Sequence, residues 1–175
     1  MKLLIAALGI VATLPSLAAQ ASPLESATRS FTITLHAGFD RAFESFGPVE
    51  EKNWSPEFDP AFIYRSGIDM HPDFAVFTTS HGAGQLLWVM SAHDRDRGFT
   101  QYVNVDSGKM VTVIEIQCVK VRADQTRATV TYRKTALAES SNVTVQHFAE
   151  HFAAQASHWE QAMNDYFDHQ KQGGK

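Results

Sequence analysis

The sequence has one cysteine, Cys118, among its 175 residues. A single thiol cannot form a disulfide within the chain, so the small disulfide-stapled folds are excluded. Free cysteine is among the residue types most often buried, and we expect Cys118 to be a core thiol rather than a reactive one.

Basic residues are also fewer than acidic ones. Without Lys2, which lies in a segment that we expect to be removed, the chain has 14 Lys and Arg against 19 Asp and Glu, a formal net charge of −5. Nucleic acids and anionic membrane surfaces are bound through basic patches. The charge balance therefore argues against both as partners.

The common catalytic and metal-binding motifs are missing as well. The chain has no phosphate-binding loop, no CxxC and no HExxH, and it has no internal repeat. Ser80-His81 precede Gly82, but the glycine spacing is not that of a nucleophile elbow. No motif predicts a catalytic residue, a metal site or a cofactor, and we expect none of the three.

A processing segment is present at the N-terminus. Lys2 is followed by the apolar run LLIAALGIVATL, and the small residues of Ala19-Gln20-Ala21 resemble a cleavage site. We expect residues 1–21 to be a signal peptide and residues 22–175 to be a periplasmic or secreted domain. The alternative is an uncleaved anchor, for which the run is short, so we expect no stable membrane span after cleavage.

The remaining chain predicts an α+β fold. RSFTITLHA (29–37) alternates apolar and polar residues like a half-buried strand, and FDRAFESF (39–46) has helical spacing that ends at Gly47-Pro48. Turn signals then separate six more predicted strands, and a long helix follows. The six strand segments are FIYRS, FAVFTTS, QLLWVMSAH, GFTQYVNV, KMVTVIEIQCVKV and RATVTYRKTALA.

Loop lengths predict which strand residues share a face. With even loops at DRDR and around Ser107-Gly108, one apolar face holds Trp88, Met90, Phe99, Gln101, Val103, Thr112, Ile114 and Ile116. The same parity puts His93, Thr100, Tyr102 and Asn104 on the opposite, wet face. Val130 and Tyr132 join the apolar face if the last turn, near Ala123 to Gln125, has an odd count. A sheet that is apolar on one side must be covered on that side.

The final helix, Val145 to Phe167, has two different faces. A broad apolar stripe is wide enough to cover the sheet, and it holds Val145, Phe148, Ala149, Phe152, Ala156, Trp159, Met163, Tyr166 and Phe167. A separate row holds His147, His151 and His158. His147 and His151 have the spacing of a chelating pair, but a metal site needs a further ligand and supporting contacts. We therefore interpret the row as a solvated face.

Three segments together resemble the START-related superfamily (SRPBCC), which takes in lipid-transfer START domains, the birch-pollen allergen family, and polyketide cyclases and dehydratases. They are FGPVEEKNWSPEFDPAFIY, LLWVMSAHDRDRGFTQYVNVDSG and RATVTYRKTALAESSN with the helix that follows. The resemblance implies a helix-grip fold, in which a curved antiparallel sheet of about seven strands wraps around a long C-terminal helix. It also implies an apolar cavity for a lipid, sterol, quinone or polyketide-like molecule.

The ligand-binding residues that we predict line the space between sheet and helix, with Trp54 and Phe58 as a lid and Gln101, Thr112 and Tyr132 as polar groups. The full set is Trp54, Phe58, Trp88, Met90, Phe99, Gln101, Val103, Thr112, Ile114, Ile116, Tyr132, Phe148, Phe152, Trp159 and Met163.

An enzyme would need an acid–base pair in this space. Tyr132 is one candidate, but the sequence places no carboxylate with it on the inner face, and Glu50 and Glu51 have the pattern of solvent-facing charges. We therefore predict an exported carrier or sensor of a hydrophobic small molecule. The alternatives are a cyclase- or dehydratase-like enzyme and an interaction domain with a collapsed cavity.

Overall fold

Seven antiparallel strands form one curved sheet in the computed structural model, which describes residues 23–65, 74–82 and 84–173. The predicted signal peptide lies outside these residues. Each strand predicted from the alternation pattern is present. The strands are β1 (Ser26–Leu35), β2 (Ala61–Arg65), β3 (Ala75–His81), β4 (Gly84–Asp94), β5 (Phe99–Asp106), β6 (Met110–Arg122) and β7 (Gln125–Ala136). Their order across the sheet is β1-β7-β6-β5-β4-β3-β2.

Helix α1 (Phe39–Glu44) follows β1, and the chain ends in α2 (Asn142–His151) and α3 (Gln155–Gly173). The single long helix that the apolar stripe predicts is thus two helices joined by a 3-10 turn at Phe152–Ala154. The Nδ1 atom of His151 donates to the carbonyl oxygen of His147 at 2.9 Å. A side chain that bonds the carbonyl one turn back competes with the helix ladder and bends the helix.

The two C-terminal helices pack on the inner face of the sheet, mainly along β1. Asn164 of α3 fixes the position, because its Oδ1 accepts from the backbone N–H of His36 at 2.8 Å and its Nδ2 donates to the carbonyl of Thr34 at 2.9 Å. On α2, the carbonyl oxygen of Ala149 accepts a 2.8 Å bond from Arg29. The sequence-based prediction of a helix-grip α+β fold is therefore confirmed.

Among the described residues, no helix has both the length and the apolar character needed to span a membrane.

The core lies between the inner face and the apolar stripe of α2 and α3. Phe152, Met163 and Phe167 are at most 1% exposed and belong to one core cluster with Ile33 and Leu35 of β1. Burying each of these side chains stabilises the fold by roughly 1.5–3 kcal/mol. Cys118 belongs to the same core, as predicted, and burial raises the pKa of its thiol to about 12.

The predicted orientation of β5 is wrong. Asp106 pairs with Met110, so three residues rather than an even number form the turn, and Gly108 closes it with a φ of +73°. Every side chain of β5 therefore points to the face opposite the predicted one. Phe99, Gln101 and Val103 lie on the outer face, and Thr100, Tyr102 and Asn104 lie inside.

A bulge in β4 corrects the prediction for His93. The β4–β5 register shifts between Met90 and Ala92, which sends the following residues to the other side of the strand. His93 therefore turns away from the wet face, and its ring stacks on Phe43 of α1 with centroids 4.6 Å apart.

Candidate functional site

A small cavity lies at one end of the inner face, beside α2, and we call it the inner cavity. Its volume is about 170 Å³. Four adjacent strands contribute to its wall because Trp88, Asn104, Thr112 and Lys134 are consecutive partners across the sheet. The lining combines apolar and polar groups: Leu86, Trp88, Met110, Ile114, Asn104, Asp106, Thr112, Tyr132 and Lys134.

Lys134 is the cation of the inner cavity. It is two residues from Tyr132 on the same side of β7, and its Nζ lies 4.9 Å from the centre of the Phe148 ring of α2. Desolvation lowers the pKa of Lys134 from its ordinary value. The carboxylate of Asp106, also in the lining, is instead paired with Lys109 at 3.3 Å. No ion pair joins Lys134 to a carboxylate within the described part of the chain.

Two tyrosines flank Ile114 on the inner face, because Ile114 pairs with Tyr102 on one side and with Tyr132 on the other. The hydroxyl of Tyr102 donates to the carbonyl oxygen of Phe46 at 2.7 Å. The Tyr132 hydroxyl has no hydrogen-bond partner among residues 23–65, 74–82 and 84–173. Tyr132 therefore keeps a free donor in the interior, whereas Tyr102 is tied to the loop after α1.

Glu51 is half-buried, which corrects the prediction that it is a solvent-facing charge. The preceding Glu50 is half-buried as well, and desolvation raises the pKa of Glu51 to about 8. Burial, and then the charge of Glu51, raise the pKa of Tyr102 and of Tyr132. The carboxyl group is therefore electrostatically coupled to both phenols.

Backbone contacts fix the position of Glu51 in the loop after α1. Its N–H donates to the carbonyl of Gly47 at 2.9 Å, next to Phe46, whose carbonyl holds Tyr102. Glu51 begins a 3-10 turn, Glu51–Asn53. Residues three apart eclipse on such a turn, so Glu51 and Trp54 share its inward side.

Trp54 and Phe58, predicted as a lid, close the interior from the loop side. The indole N–H of Trp54 donates to the carbonyl of Ser45 at 2.7 Å, and its ring lies 5.2 Å from Trp159 of α3. Phe58 meets Phe77 and Trp88 edge to face. Outside this seal, an open groove of about 410 Å³ runs between the loop and α3.

The other predicted ligand-binding residues divide into three groups. Trp88, Thr112, Ile114 and Tyr132 line the inner cavity. Met90, Ile116, Phe148, Phe152, Trp159 and Met163 belong to the adjoining core or pack against it. Phe99, Gln101 and Val103 lie outside, where Gln101 bonds Glu115 and Ser91. Ligand binding by any of them stays a prediction.

The histidine row lies on the solvent side of α2 and α3. The rings of His147 and His151 stack 4.2 Å apart, and both residues are exposed, as is His158. In the described part of the chain, no group of three or more His, Cys, Asp or Glu side chains is placed to hold a metal ion.

Seven of the residues described above were not predicted: Leu86, Asn104, Asp106, Met110 and Lys134 of the cavity lining, together with Tyr102 and Glu51. The correct length of the β5–β6 turn would have predicted that Tyr102 and Asn104 point inward, because they alternate along β5 with Gln101 and Val103. Lys134 is two residues from Tyr132, and the period of a strand places the two on one face. Glu51 had no comparable signal, because its direction depends on how an irregular loop docks.

Neither the protein-family models nor the curated proteins contain a match to this chain. Solved structures do match. An X-ray structure of norcoclaurine synthase from Thalictrum flavum, in complex with dopamine and hydroxybenzaldehyde, has a TM-score of 0.57 at 11% identity, and the match covers 97% of this chain and 99% of that one.

Two further structures are similar in fold. Zhui aromatase/cyclase from Streptomyces sp. R1128 matches with a TM-score of 0.54 at 13% identity, covering 86% of this chain and 97% of that one. Ara h 8.0201 matches with a TM-score of 0.54 at 11% identity, and the match covers 81% of this chain and 97% of that one. The chain therefore shares the helix-grip fold of these structures.

Proposed function

We propose that this protein is exported and binds a small, mainly apolar molecule with a polar or anionic end in the inner cavity. The observation that carries the proposal is the composition of the wall. Trp88, Met110 and Ile114 offer apolar surface, and Asn104, Thr112 and Lys134 offer polar groups. Ligand sites commonly combine a mostly apolar lining with a few convergent polar groups.

The volume favours a ligand, or a ligand fragment, of about one ring. An engineered apolar cavity of about 150 Å³ binds benzene, and the inner cavity measures about 170 Å³. The Thalictrum flavum structure, which shares the fold, holds dopamine and hydroxybenzaldehyde, each with a single aromatic ring. A sterol or long lipid would need Phe148 or the Trp54 seal to move.

Lys134 supports an anionic end on the ligand. Its ammonium group is partly desolvated over Phe148 and has no carboxylate partner among the described residues. A ligand carboxylate or phenolate beside Nζ would supply the missing counter-charge. The buried amide of Asn104 and hydroxyl of Thr112 are the neighbouring hydrogen-bonding groups.

The test is an isothermal titration calorimetry experiment. The purified protein is titrated with phenylacetate and, separately, with its neutral analogue phenylacetamide. We expect K134M to weaken phenylacetate binding by about tenfold or more, which corresponds to about 1.4 kcal/mol. Phenylacetamide binding should change much less. The matched control is K120M, which removes an exposed lysine from β6. Equal phenylacetate affinities for wild type and K134M would contradict the role of Lys134.

Export is tested separately from binding. The apolar run and the Ala19-Gln20-Ala21 sequence support cleavage before Ser22. We expect the mature protein, expressed from its full sequence in a Gram-negative host, to appear in the periplasmic fraction with Ser22 as its first residue. N-terminal sequencing that finds an intact leader in the cytoplasmic fraction would contradict export.

The second candidate function is a cyclase- or dehydratase-like enzyme. Glu51 favours it, because desolvation raises the pKa of its carboxyl group to about 8 and its charge raises the pKa of Tyr132, and such an enzyme needs an acid–base pair. The Zhui aromatase/cyclase, which has the same fold, is compatible with this alternative.

A further inference from the structure

Asn104 lies on the inner face of β5 and is only 6% exposed, yet its side-chain amide has no hydrogen-bond partner among the described residues. Thr112, its cross-strand partner on β6, is 5% exposed, and its hydroxyl likewise has no partner in that part of the chain. Burying a polar group without a hydrogen bond lowers stability. Two such groups side by side therefore call for an explanation other than folding.

The amide of Asn104 borders open space rather than packed atoms. Every fully enclosed polar side-chain atom among residues 23–65, 74–82 and 84–173 has a hydrogen-bond partner. Because the Oδ1 and Nδ2 atoms of Asn104 have none, neither atom is fully enclosed, and the space that Asn104 lines is the inner cavity. A ligand in this cavity must therefore hydrogen-bond the amide, since an unmatched amide weakens binding.

The side chains around Asn104 on β4 and β5 offer it no free donor. Its partner on β4, Trp88, donates its indole N–H to the Oγ1 atom of Thr79 at 2.9 Å. The hydroxyl of Tyr102 is bonded to a backbone carbonyl. The carboxylate of Asp106, two residues further along β5, is an acceptor. The donor that the Oδ1 atom of Asn104 lacks must therefore come from the ligand.

Thr112 and Lys134, in the same row, suit the anionic end of the ligand, because an ammonium and a hydroxyl both donate to carboxylate oxygens. Adjacent strands are about 4.8 Å apart, so the backbones of Asn104 and Lys134, two strands apart, are separated by about 10 Å. The Nζ atom of Lys134 lies 4.9 Å from the ring of Phe148 on α2, a helix that packs on β1 and β7. The cation and the amide therefore face different ends of the inner cavity.

We propose that Asn104 determines the specificity of the inner cavity by binding a hydroxyl group at the end of the ligand remote from its acid group. The inference rests on the proposed binding function and narrows its ligand class to ring-sized acids that carry such a hydroxyl. An amide has N–H donors and a carbonyl acceptor, and a hydroxyl can accept from the first and donate to the second. A carboxylate or a ketone only accepts, so neither satisfies the Asn104 carbonyl oxygen.

The separation of the two polar ends predicts which isomer binds best. Asn104 and Lys134 lie two strands apart, and Trp88 and Ile114 provide apolar surface for the ring. A hydroxyl para to the acid side chain lies at the opposite end of the ring, where Asn104 is. An ortho hydroxyl lies beside the acid, at the Lys134 end. We therefore expect the para isomer to bind more tightly.

The experiment compares ligands by isothermal titration calorimetry. We expect wild type to bind 4-hydroxyphenylacetate about tenfold more tightly than 4-methylphenylacetate, a ligand of the same size, which is the upper range for a net hydrogen-bond contribution. The 2-hydroxy isomer should show no such gain. The gain should vanish in Asn104→Leu, which keeps the size of the side chain. It should persist in the matched control Gln146→Met, which removes an exposed amide from α2.

The outcomes separate this inference from the proposed function. Equal wild-type affinities for 4-hydroxyphenylacetate and 4-methylphenylacetate would overturn the inference, and phenylacetate binding that needs Lys134 would leave the proposed function standing. A gain that persists in Asn104→Leu would also overturn the inference. Should Asn104→Leu fail to fold, Asn104→Ala tests the same hydrogen bonds with a smaller side chain. Failure of wild type to bind any of these acids would contradict both proposals for this ligand class.

Discussion

The hydroxyl of Tyr102 donates a 2.7 Å hydrogen bond to the carbonyl oxygen of Phe46, 56 residues earlier in the chain. This contact ties β5 to the loop that carries Glu51 and Trp54. Both of its atoms are buried, so neither has water as a substitute partner.

Tyr102→Phe should therefore lower the free energy of unfolding by about 1–3 kcal/mol, because it leaves a buried carbonyl unsatisfied. Urea unfolding followed by circular dichroism measures the change. The control is Tyr64→Phe, at a tyrosine that is 54% exposed on the edge strand β2, for which we expect less than about 0.5 kcal/mol. Equal losses in the two variants would show that the hydrogen bond contributes nothing specific.

Stability should depend on pH through Glu51. The pKa of this carboxyl is about 8 in the folded protein against an ordinary 4.5 in the unfolded chain. Between the two values the folded state holds a proton that the unfolded chain has released. The stability from this group is therefore fully present below about pH 4.5 and is lost as the pH rises to about 8.

The slope from one such proton is about 1.4 kcal/mol per pH unit. Urea midpoints of wild type and Glu51→Gln, measured from pH 5 to pH 9, should therefore diverge as the pH rises, with the variant increasingly the more stable protein. Glu50→Gln should follow wild type. Parallel curves for wild type and Glu51→Gln would mean that the carboxyl group is solvated.

Phe152→Ala should be strongly destabilising. The ring is 1% exposed and lies within 5.1 Å of Phe31, 5.0 Å of Tyr132 and 4.9 Å of Phe148. Removing it leaves a cavity where α2 meets α3, and we expect a loss of about 3–5 kcal/mol in the free energy of unfolding. Val143→Ala, at a 67% exposed position of α2, should cost less than about 0.5 kcal/mol. Thermal unfolding that ranks the two variants equally would contradict this packing.

Two glycines with similar backbone angles should respond differently to alanine. Gly98 has a φ of +65°, and a Cβ there would lie 2.5 Å from the carbonyl oxygen of Cys118. Gly108 has a φ of +73°, with no atom near its Cβ position. Gly108→Ala should therefore cost only about 1 kcal/mol from backbone strain. Gly98→Ala should lower the free energy of unfolding by more, as measured by scanning calorimetry. A loss smaller than that of Gly108→Ala would contradict the close approach to the Cys118 carbonyl.

The sequence predicted most of the fold because periodicity reports burial. Phe31, Ile33 and Leu35 alternate with polar residues in β1, and all three are buried. The apolar stripe predicted the buried face of the C-terminal helices equally well, since Phe152 and Met163 lie at helical spacing. The 3-10 turn at Phe152–Ala154 was not, because the stripe continues through it.

The site was less predictable, because the face on which a strand residue lies is reversed by one residue more or less in a turn or a bulge. The turn that ends at Met110 has three residues, and that one extra residue reversed the predicted face of Tyr102 and Asn104. The β4 bulge reversed His93 in the same way. Glu51 illustrates a different limit, since two adjacent glutamates in a loop have the same local pattern whether one of them points inward or not.

Cys118 has a practical consequence for following motion in solution. Its thiol is buried and holds its proton up to about pH 12, so maleimide dyes, which react with thiolates, will leave it unmodified in the folded protein. Because it is the sole native cysteine, a Val143→Cys variant would offer one reactive thiol, on the solvent side of α2. A fluorophore attached there would report displacement of α2 when a ligand enters, with no background labelling to subtract.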